Sequence, residues 1–576
     1  MEKTREPFKA RVKAFAIKKW NSFKMNANIV RELVKKSIKV QYRNSVIGAL
    51  WTVLNPLLNM LVMYLVFSVV LRYGDEPTYP LYIFCGNIMF SFVRAATTQS
   101  LTSMVANRGL LTKNKISQFV FPIANNLSAV VNFGFSSIAL LGVMGVVSVS
   151  AGKSFFTPNL LLVILMLPAL FLFSYGLSLV LSSMYVFFRD TQHFYNVFLT
   201  LWTYLTPIFW KTTLMKPNAN DSFKLETIKK ILNVVINCNP MYHFVEYFRD
   251  IVFDCVSYSY ISSGGHEVVV EGVKTLETFP TLGILYLIGL LFFGIGTLIF
   301  SLTRRRFIYY IKGGIMEEKI TNSQLPLENE EYIIDVQNVS MDFYTRDEKI
   351  DNLKEFIIRL IKGKAEKKTV RVLDNISFQV KKGESIGLIG HNGAGKSTLL
   401  KLVAEIMEPT EGKVKVNGKV APLLNLGAGF DFESTGKENV YLNGAILGYS
   451  KKEMAKKYEQ IVEFAELHDY MHIPLKNYSS GMVARLGFAI AIDVEPDILL
   501  VDEILSVGDE NFRQKCAKKV KELREKGVTF VIVSHSMAQV RSLCQKAIWI
   551  ENSKVMAYGE ANEVCDQYQK YCNEKH

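Results

Sequence analysis

Hydrophobic positions along this chain fall into two regimes. From about residue 50 to 300 they form long runs with few charges, whereas from about 320 onward they come as short strands and striped helices divided by Lys and Glu. A helix needs about 20 apolar residues to cross the hydrocarbon of a bilayer. Segments of that scale lie at 51–71, 80–100, 123–150, 159–187, 193–210 and 280–302. The first half is therefore expected to be an all-α polytopic membrane domain with six transmembrane helices. The connectors set its orientation. "RGLLTKNKISQF" after the second run and Thr303 to Arg306 after the sixth are basic, while "RYGDEPTYP" and "AGKSFFTPN" are nearly neutral and marked by Pro or Gly. Basic loops stay inside, so both termini are expected in the cytosol and the connector 211–279 outside. Within it, "CNPMYHFVEYFRDIVF" is too charged to span and apolar enough to be helical, which predicts a short re-entrant or interfacial helix pair.

Ahead of the first run, Phe8, Val12, Phe15, Trp20 and Phe23 recur at near-helical spacing among Lys and Arg. This pattern predicts an amphipathic helix on the inner membrane face, with a solvated tail as the alternative. Charge interrupts every apolar stretch there, so it is no signal peptide. Residues 312–331 lose hydrophobicity and gain Gly, Pro and acids, as a linker does. Beyond it, "YIIDVQNVSMDF" and "RVLDNISFQV" read as strands. "PDILLVDE" and "VTFVIVSH" are continuously apolar, as in a parallel sheet covered on both faces. Ile350, Leu353, Ile357, Leu360 and Ile361 form one helical stripe, either a surface helix or local packing. The expected domains are 1–45 (basic interface helices), 46–311 (membrane), 312–331 (linker) and 332–576 (a C-terminal α/β nucleotide-binding domain).

Charge adds one point. Net charge is +14, and residues 1–50 alone hold 13 Lys or Arg against 3 Asp or Glu. Beside membrane runs, positive-inside asymmetry explains this excess without a nucleic-acid partner. Seven cysteines make neither a disulfide framework nor a metal set, with the pairing of Cys238 and Cys255 left open.

The chemistry sits in the second half. Gly390, His391, Asn392, Gly393, Ala394, Gly395, Lys396, Ser397 and Thr398 fit G-x-x-x-x-G-K-[ST], after an apolar strand and at the start of "STLLKLVAEIM". In that context backbone N–H groups cradle phosphates, Lys reaches the β- and γ-phosphates and Ser coordinates Mg²⁺. ATP with Mg²⁺ is the expected ligand. Asp502 closes "ILLVD" and would complete the Mg²⁺ shell, and Glu503 would polarise the attacking water. His535 closes a second strand that would end beside the γ-phosphate. In the membrane half, Arg94 lies inside a span, where a charge is costly and usually functional. It either meets an anionic group of a substrate or snorkels to the inner interface. Trp51, Tyr64, Phe67, Tyr82, Phe84, Phe90, Trp202, Tyr204 and Trp210 are either interface or packing rings or part of a substrate path.

"NYSSGMVARLGFAIAI" resembles the signature loop of ABC ATPases, with Tyr478, Ser479, Ser480, Gly481 and Met482 where Leu-Ser-Gly-Gly-Gln is usual. The resemblance covers about 330–570, with cradle, signature, Asp-Glu and His in the family's order. It implies that the signature loop caps ATP held by a partner subunit. It also implies an adenine-stacking aromatic at Phe343 or Tyr344, Asn425 in place of the usual glutamine, and Asp509 in the loop crossing between the two ATPases. "APLLNLGAGFDFESTGKENVYLNG" is similar to the polysaccharide-exporter branch, and "QYRNSVIGALWTVLNPLLNMLVMYLVFS" with "NPMYHFVEYFRD" resembles ABC-2 type permeases. The implied protein is a homodimeric ATPase in the bacterial inner membrane, exporting a lipid-linked polysaccharide or teichoic acid. An ABC-2 exporter of drugs or lipids, and an ATP-gated regulator that transports nothing, are the alternatives. The basic stretch 111–119 is the expected mechanical link between the halves, and the tail after "YGEANEVCDQYQKY" is too short for a carbohydrate-recognition domain.

Overall fold

The computed structural model describes residues 8–42, 48–70, 79–114, 116–151, 158–212, 223–254, 258–261, 267–270, 275–312, 332–345, 368–423, 429–493, 496–502 and 510–575. The stripe from Ile350 to Ile361, nearly all of the linker, Cys255 and the site residues Asn425, Glu503 and Asp509 lie outside the described residues.

The amino-terminal half is helical, apart from one small hairpin. Its elements are α1 (Phe8–Tyr42), α2 (Trp51–Tyr64), α3 (Tyr79–Ala106), α4 (Arg108–Lys113), α5 (Val120–Ala151), α6 (Leu162–Phe187), α7 (Thr191–Leu205), α8 (Phe223–Asn237), α9 (Pro240–Asp254) and α10 (Thr275–Lys312). The hairpin, β1 (Tyr258–Ile261) paired antiparallel with β2 (Glu267–Val270), was not visible in the sequence pattern. Residues 8–23 do form part of one long helix, although the direction of the Phe8, Val12, Phe15, Trp20 and Phe23 side chains lies outside what is described. The expected helix pair in 211–279 is α8 and α9. Cys238 between them is exposed with a free thiol.

Three described helices are long and apolar enough to cross a membrane: Val120–Val146, Leu162–Phe187 and Phe279–Arg304. The other three expected spans differ for visible reasons. The first continues from α2 as a π-helical turn over Leu65–Val70, the second (α3) carries Asn87, Ser91, Arg94 and several Thr, and α7 is only 15 residues long.

Without water to drive helices together, membrane helices associate through close backbone approach and buried hydrogen bonds. Both occur here. A Cβ on Gly289 of α10 would lie 2.6 Å from the Ala169 carbonyl of α6, and Gly176 meets Gly296 and the Phe292 carbonyl in the same seam. Asn126 of α5 donates to Ser178 Oγ at 3.0 Å and accepts from Ser174 Oγ at 2.8 Å, both on α6. Gly289→Leu is expected to force α6 and α10 apart and cost about 1–3 kcal/mol. This would be read as a lower melting temperature in detergent, with a smaller fall for Gly289→Ala; equal melting of both variants and wild type would contradict the packing.

The carboxy-terminal half holds two sheets. β3 (Tyr332–Thr345), β4 (Lys368–Lys381) and β6 (Glu411–Val416) form an antiparallel sheet in the order β4-β3-β6. The second sheet uses β5 (Ser385–Ile389), β7 (Val420–Leu423), β8 (Ile498–Asp502), β9 (Thr529–Val533), β10 (Lys546–Glu551) and β11 (Lys554–Glu560), ordered β11-β10-β5-β9-β8-β7. All its pairings are parallel except β10–β11. Its helices are α11 (Lys396–Val403), α12 (Gly436–Ile446), α13 (Lys451–Ala465), α14 (Ser480–Asp493), α15 (Glu510–Glu525), α16 (Met537–Leu543) and α17 (Ala561–Lys575). As expected for strands covered on both sides, β5 and β9 are buried throughout. One core joins the two sheets around α11, a second lies on the other face beneath α15 and α17, and α12 to α14 form a helical lobe with a core of its own.

The halves meet at α12. Leu442, Ala445 and Ile446 share one buried cluster with Ile29, Val30 and Leu33 of α1 and Leu110 and Leu111 of α4. The expected link at 111–119 is therefore part of the contact, and α4 and α1 supply the rest. Gly429, at φ +103°, lets Asn114 approach so closely that an added Cβ would sit 2.8 Å from its amide nitrogen. Lys36 pairs with Asp431 at 3.2 Å, and Lys39 with Glu438. Glu438 also closes a capping box with Thr435 at the start of α12. Burial pushes its carboxyl up, but the Lys39 ammonium and the Thr435 N–H and hydroxyl outweigh that and hold it below the ordinary range. A carboxyl depressed on folding stabilises above its unfolded value and loses that contribution as pH falls through its folded value. Glu438→Gln is therefore expected to cost a few tenths of a kcal/mol, up to about 1, at neutral pH, as for a solvent-exposed ion pair, and the difference from wild type should vanish well below about pH 4. Thermal melts at several pH values check this; a gap that persists in acid would contradict it.

Candidate ATP site

The cradle forms because β5 must end abruptly against α11. Gly390 has φ +142°, and a Cβ there would collide with the Ile550 carbonyl of β10. Gly395 has φ +100°, and its Cβ would sit 2.7 Å from Leu373 Cδ2 and 2.9 Å from the Val372 carbonyl of β4. Between them His391, Asn392 and Gly393 are exposed, while Ala394 is buried. Lys396 is 6% exposed and donates to the carbonyls of Gly390 at 2.7 Å and His391 at 2.8 Å, so its ammonium is held inside the loop. Ser397 is exposed and Thr398 half-buried at the first turn of α11, where unpaired N–H groups and the helix dipole favour anions.

Parallel register brings the other candidates to the same edge. Leu388 of β5 pairs with Val533 of β9, and Val533 with Asp502 of β8. Neighbouring strands lie about 4.8 Å apart, so the ends of β5 and β8 are separated by about 10 Å, with β9 between them. His535 is exposed two residues beyond Val533, in a turn tied by the Ser536 N–H donating to Ser534 Oγ at 3.0 Å. Ser397 and the backbone of Asp502 stand at this edge, with the Asp502 side chain outside what is described; hydroxyl and carboxylate are the hard donor types that Mg²⁺ takes when phosphates complete its shell. The chemistry Mg²⁺ would supply there is neutralisation of phosphate charge.

Phe343 lies on β3 opposite Val370, two residues from the Val372 that touches Gly395, and is packed against the core that contains the cradle. Its neighbour Tyr344 is in the same strand, with its side chain outside what is described. The signature residues are not brought to this cradle's core. Ser479 and Ser480 are exposed at the start of α14, in the separate core of the helical lobe. Ser479 Oγ accepts from the Met482 N–H at 3.2 Å. Tyr478 is buried, its hydroxyl donating to the Tyr470 carbonyl at 2.7 Å, and burial pushes that hydroxyl up to about 12, so it stays a donor.

One residue escaped the sequence reading. Glu551, 4% exposed at the end of β10, faces His391 Nδ1 at 2.9 Å through Oε2, while Tyr571 of α17 donates to its Oε1 at 3.4 Å. The carboxylate thereby braces the exposed lip of the cradle from behind. Its only trace in the sequence is an acid ending the apolar run "AIWIE".

This layout is that of a nucleotide-binding cassette joined to a helical membrane domain. The comparisons agree: residues 29–253 match the model of the ABC-2 type transporter family, and residues 373–506 that of the ABC transporter family. The chain is 48% identical over 198 residues to the O-antigen export system ATP-binding protein RfbB of Klebsiella pneumoniae, covering 34% of this chain and 80% of that one. It is 39% identical over 241 residues to the teichoic acids export ATP-binding protein TagH of Staphylococcus saprophyticus, covering 42% of this chain and 89% of that one. The chain belongs to the ABC transporters, with an ABC-2 type membrane domain and its ATPase on one polypeptide. It is an ATPase whose hydrolysis is coupled to transport.

Proposed function

We propose that two copies of this chain form a transporter that exports a lipid-linked polysaccharide or teichoic acid across the bacterial inner membrane. The observation that carries the dimer is the division of one nucleotide site between two separate cores. The cradle belongs to the sheet core, while Ser479 and Ser480 lie exposed on the helical lobe. A signature loop supplied by the second copy would complete each site, giving two ATP in a two-fold dimer. Asp502 and Ser397 would hold Mg²⁺, Glu503 would orient the attacking water and His535 would report the γ-phosphate. Phe343 would stack on adenine, and Asp509 would lie where the two ATPases cross. Asn425, two residues past the end of β7 in the sequence, would take the place of the linking glutamine. In the membrane half, α2 with its π-helical extension, α3, α5, α6, α7 and α10 would be the six spans, with both termini and the ATPase in the cytosol. Closure of the ATPase pair on ATP would move α12, and with it α1 and α4. ATP drives this motion only as far as it binds the closed state more tightly than the open one.

The export names of RfbB and TagH support the substrate class. The test is ATP hydrolysis by the purified full chain in liposomes. Isoprenyl-diphosphate-linked glycan is expected to stimulate it and to be moved across the bilayer. Stimulation by amphiphilic drugs with indifference to the glycolipid would replace this reading with a drug exporter. Unchanged function in cells carrying Glu503→Ala would point to a non-transporting regulator.

A further inference from the structure

Near the middle of α3 stands a charge that has no counter-ion among the described residues. α3 is wedged against α5 and α6, two of the helices long and apolar enough to cross a bilayer. Arg94 is its sixteenth residue of 28, so at 1.5 Å per residue it lies about 22 Å from one end and about 18 Å from the other. Arg94 is thus far from both ends of the helix. The guanidinium is exposed, donates from Nη2 to Thr203 Oγ1 of α7 at 2.9 Å and lies 5.3 Å from the Phe90 ring. Among the described residues it forms no ion pair with a carboxylate. Thr203 spends its own proton on the Leu199 carbonyl at 2.7 Å, so it serves Arg94 as a fixed acceptor. A guanidinium has five N–H donors, and Thr203 takes one.

The surroundings of Arg94 are patterned. Asn87, Ser91, Arg94, Thr98 and Thr102 follow one another by four, three, four and four residues, which is one face of a helix. None of the five is buried, while most of the remaining helix is. A polar stripe of this kind cannot face acyl chains without cost. Its one charge is positive, and Thr98 Oγ1, four residues on, is shielded from solvent without a hydrogen-bond partner. Beside it α7 exposes Phe198, Leu201 and Tyr204. A cation with the Phe90 ring at 5.3 Å, on a stripe of hydroxyls and next to a helix that exposes apolar side chains, matches a ligand that joins an anionic group to an isoprenoid.

We infer that Arg94, held by Thr203 and continued by Ser91 and Thr98, binds the phosphate or diphosphate of a lipid-linked substrate within the membrane. This rests on the export reading above and adds the group that site recognises. A bilayer lipid offers the same phosphate chemistry, so the experiment separates the two. Full-length protein in phosphatidylcholine nanodiscs is titrated with radiolabelled farnesyl diphosphate, with farnesol as an uncharged competitor. A parallel arm contains phosphatidylglycerol. Arg94→Gln is expected to weaken diphosphate binding at least tenfold and Arg94→Lys less. Lys230→Gln on the exposed face of α8 should leave it unchanged, and gel filtration and melting should show the variants folded. Binding that Arg94→Gln retains, competition by farnesol equal to that by unlabelled diphosphate, or no binding by wild type would overturn the inference. Phosphatidylglycerol competing as well as the diphosphate would assign the site to bilayer head groups and overturn it too. A loss of dimer in Arg94→Gln with binding intact would show that a second copy supplies the counter-ion instead. Export of glycolipid from liposomes is measured alongside. Wild-type binding that depends on Arg94, with no export, would leave this site standing and remove the export reading. Export that Arg94→Gln does not impair would do the reverse.

Discussion

Lys396→Ala is expected to abolish ATP turnover while leaving the chain folded and membrane-embedded. The ammonium is almost fully buried and donates to the Gly390 and His391 carbonyls of the cradle itself. It thus closes the loop from within, and it would supply a cation to the β- and γ-phosphates once nucleotide enters. Removing it takes away charge stabilisation where negative charge develops, an effect worth roughly 100-fold or more in rate for a single preorganised donor. It also leaves two cradle carbonyls without their donor, so nucleotide affinity should fall together with kcat. Phosphate release and binding of a fluorescent ATP analogue measure the two effects. A variant that hydrolyses ATP at the wild-type rate would show that residues 390–398 are not the site.

The second large effect needs two defects in different chains. Gly481→Asp, placed in the signature loop, is expected to inactivate a homodimer as thoroughly as Lys396→Ala does. Co-purified mixed dimers of the two variants should recover. One composite site then joins both defects, whereas the other joins the intact cradle of one chain to the intact signature of its partner. With random pairing and independent sites, about one quarter of wild-type activity should return. Isolation of differently tagged mixed dimers removes the two dead species and should raise this to about one half. If each chain built its own site, no mixture would hydrolyse ATP, and the two-copy reading would fall.

Local signals were read correctly wherever a single stretch of chain carries its own physics. The G-x-x-x-x-G-K-[ST] cradle after a buried strand, the apolar strands before Asp502 and His535, and the apolar runs of α5, α6 and α10 all appear where their patterns stood. Other features depend on partners far along the chain. Nothing in "AIWIE" says that its glutamate turns toward His391, 160 residues earlier, because that pairing comes from β10 lying beside β5. The meeting of Lys39 with Glu438 is likewise a product of docking. Arg94 stood out in the sequence, but its stripe did not. Asn87, Ser91, Thr98 and Thr102 look like ordinary helix residues until burial of most of the remaining helix shows which side they share. The same stripe lowers the apolar character of α3, which keeps that one run from counting among the long apolar helices, as shortness does for α7 and the π-helical turn for α2.

By itself, then, the amino-acid order determined that a bilayer-embedded helical half precedes an ATP-cradling α/β half, since hydrocarbon thickness and phosphate binding impose demands that a short stretch of residues can satisfy alone. Only tertiary packing decided that α12 carries the contact with α1 and α4, that Glu551 braces the cradle, and that Ser479 and Ser480 sit on a separate lobe from the cradle. Those features arise from which surfaces bury one another, a property of the whole folded chain that local periodicity does not encode.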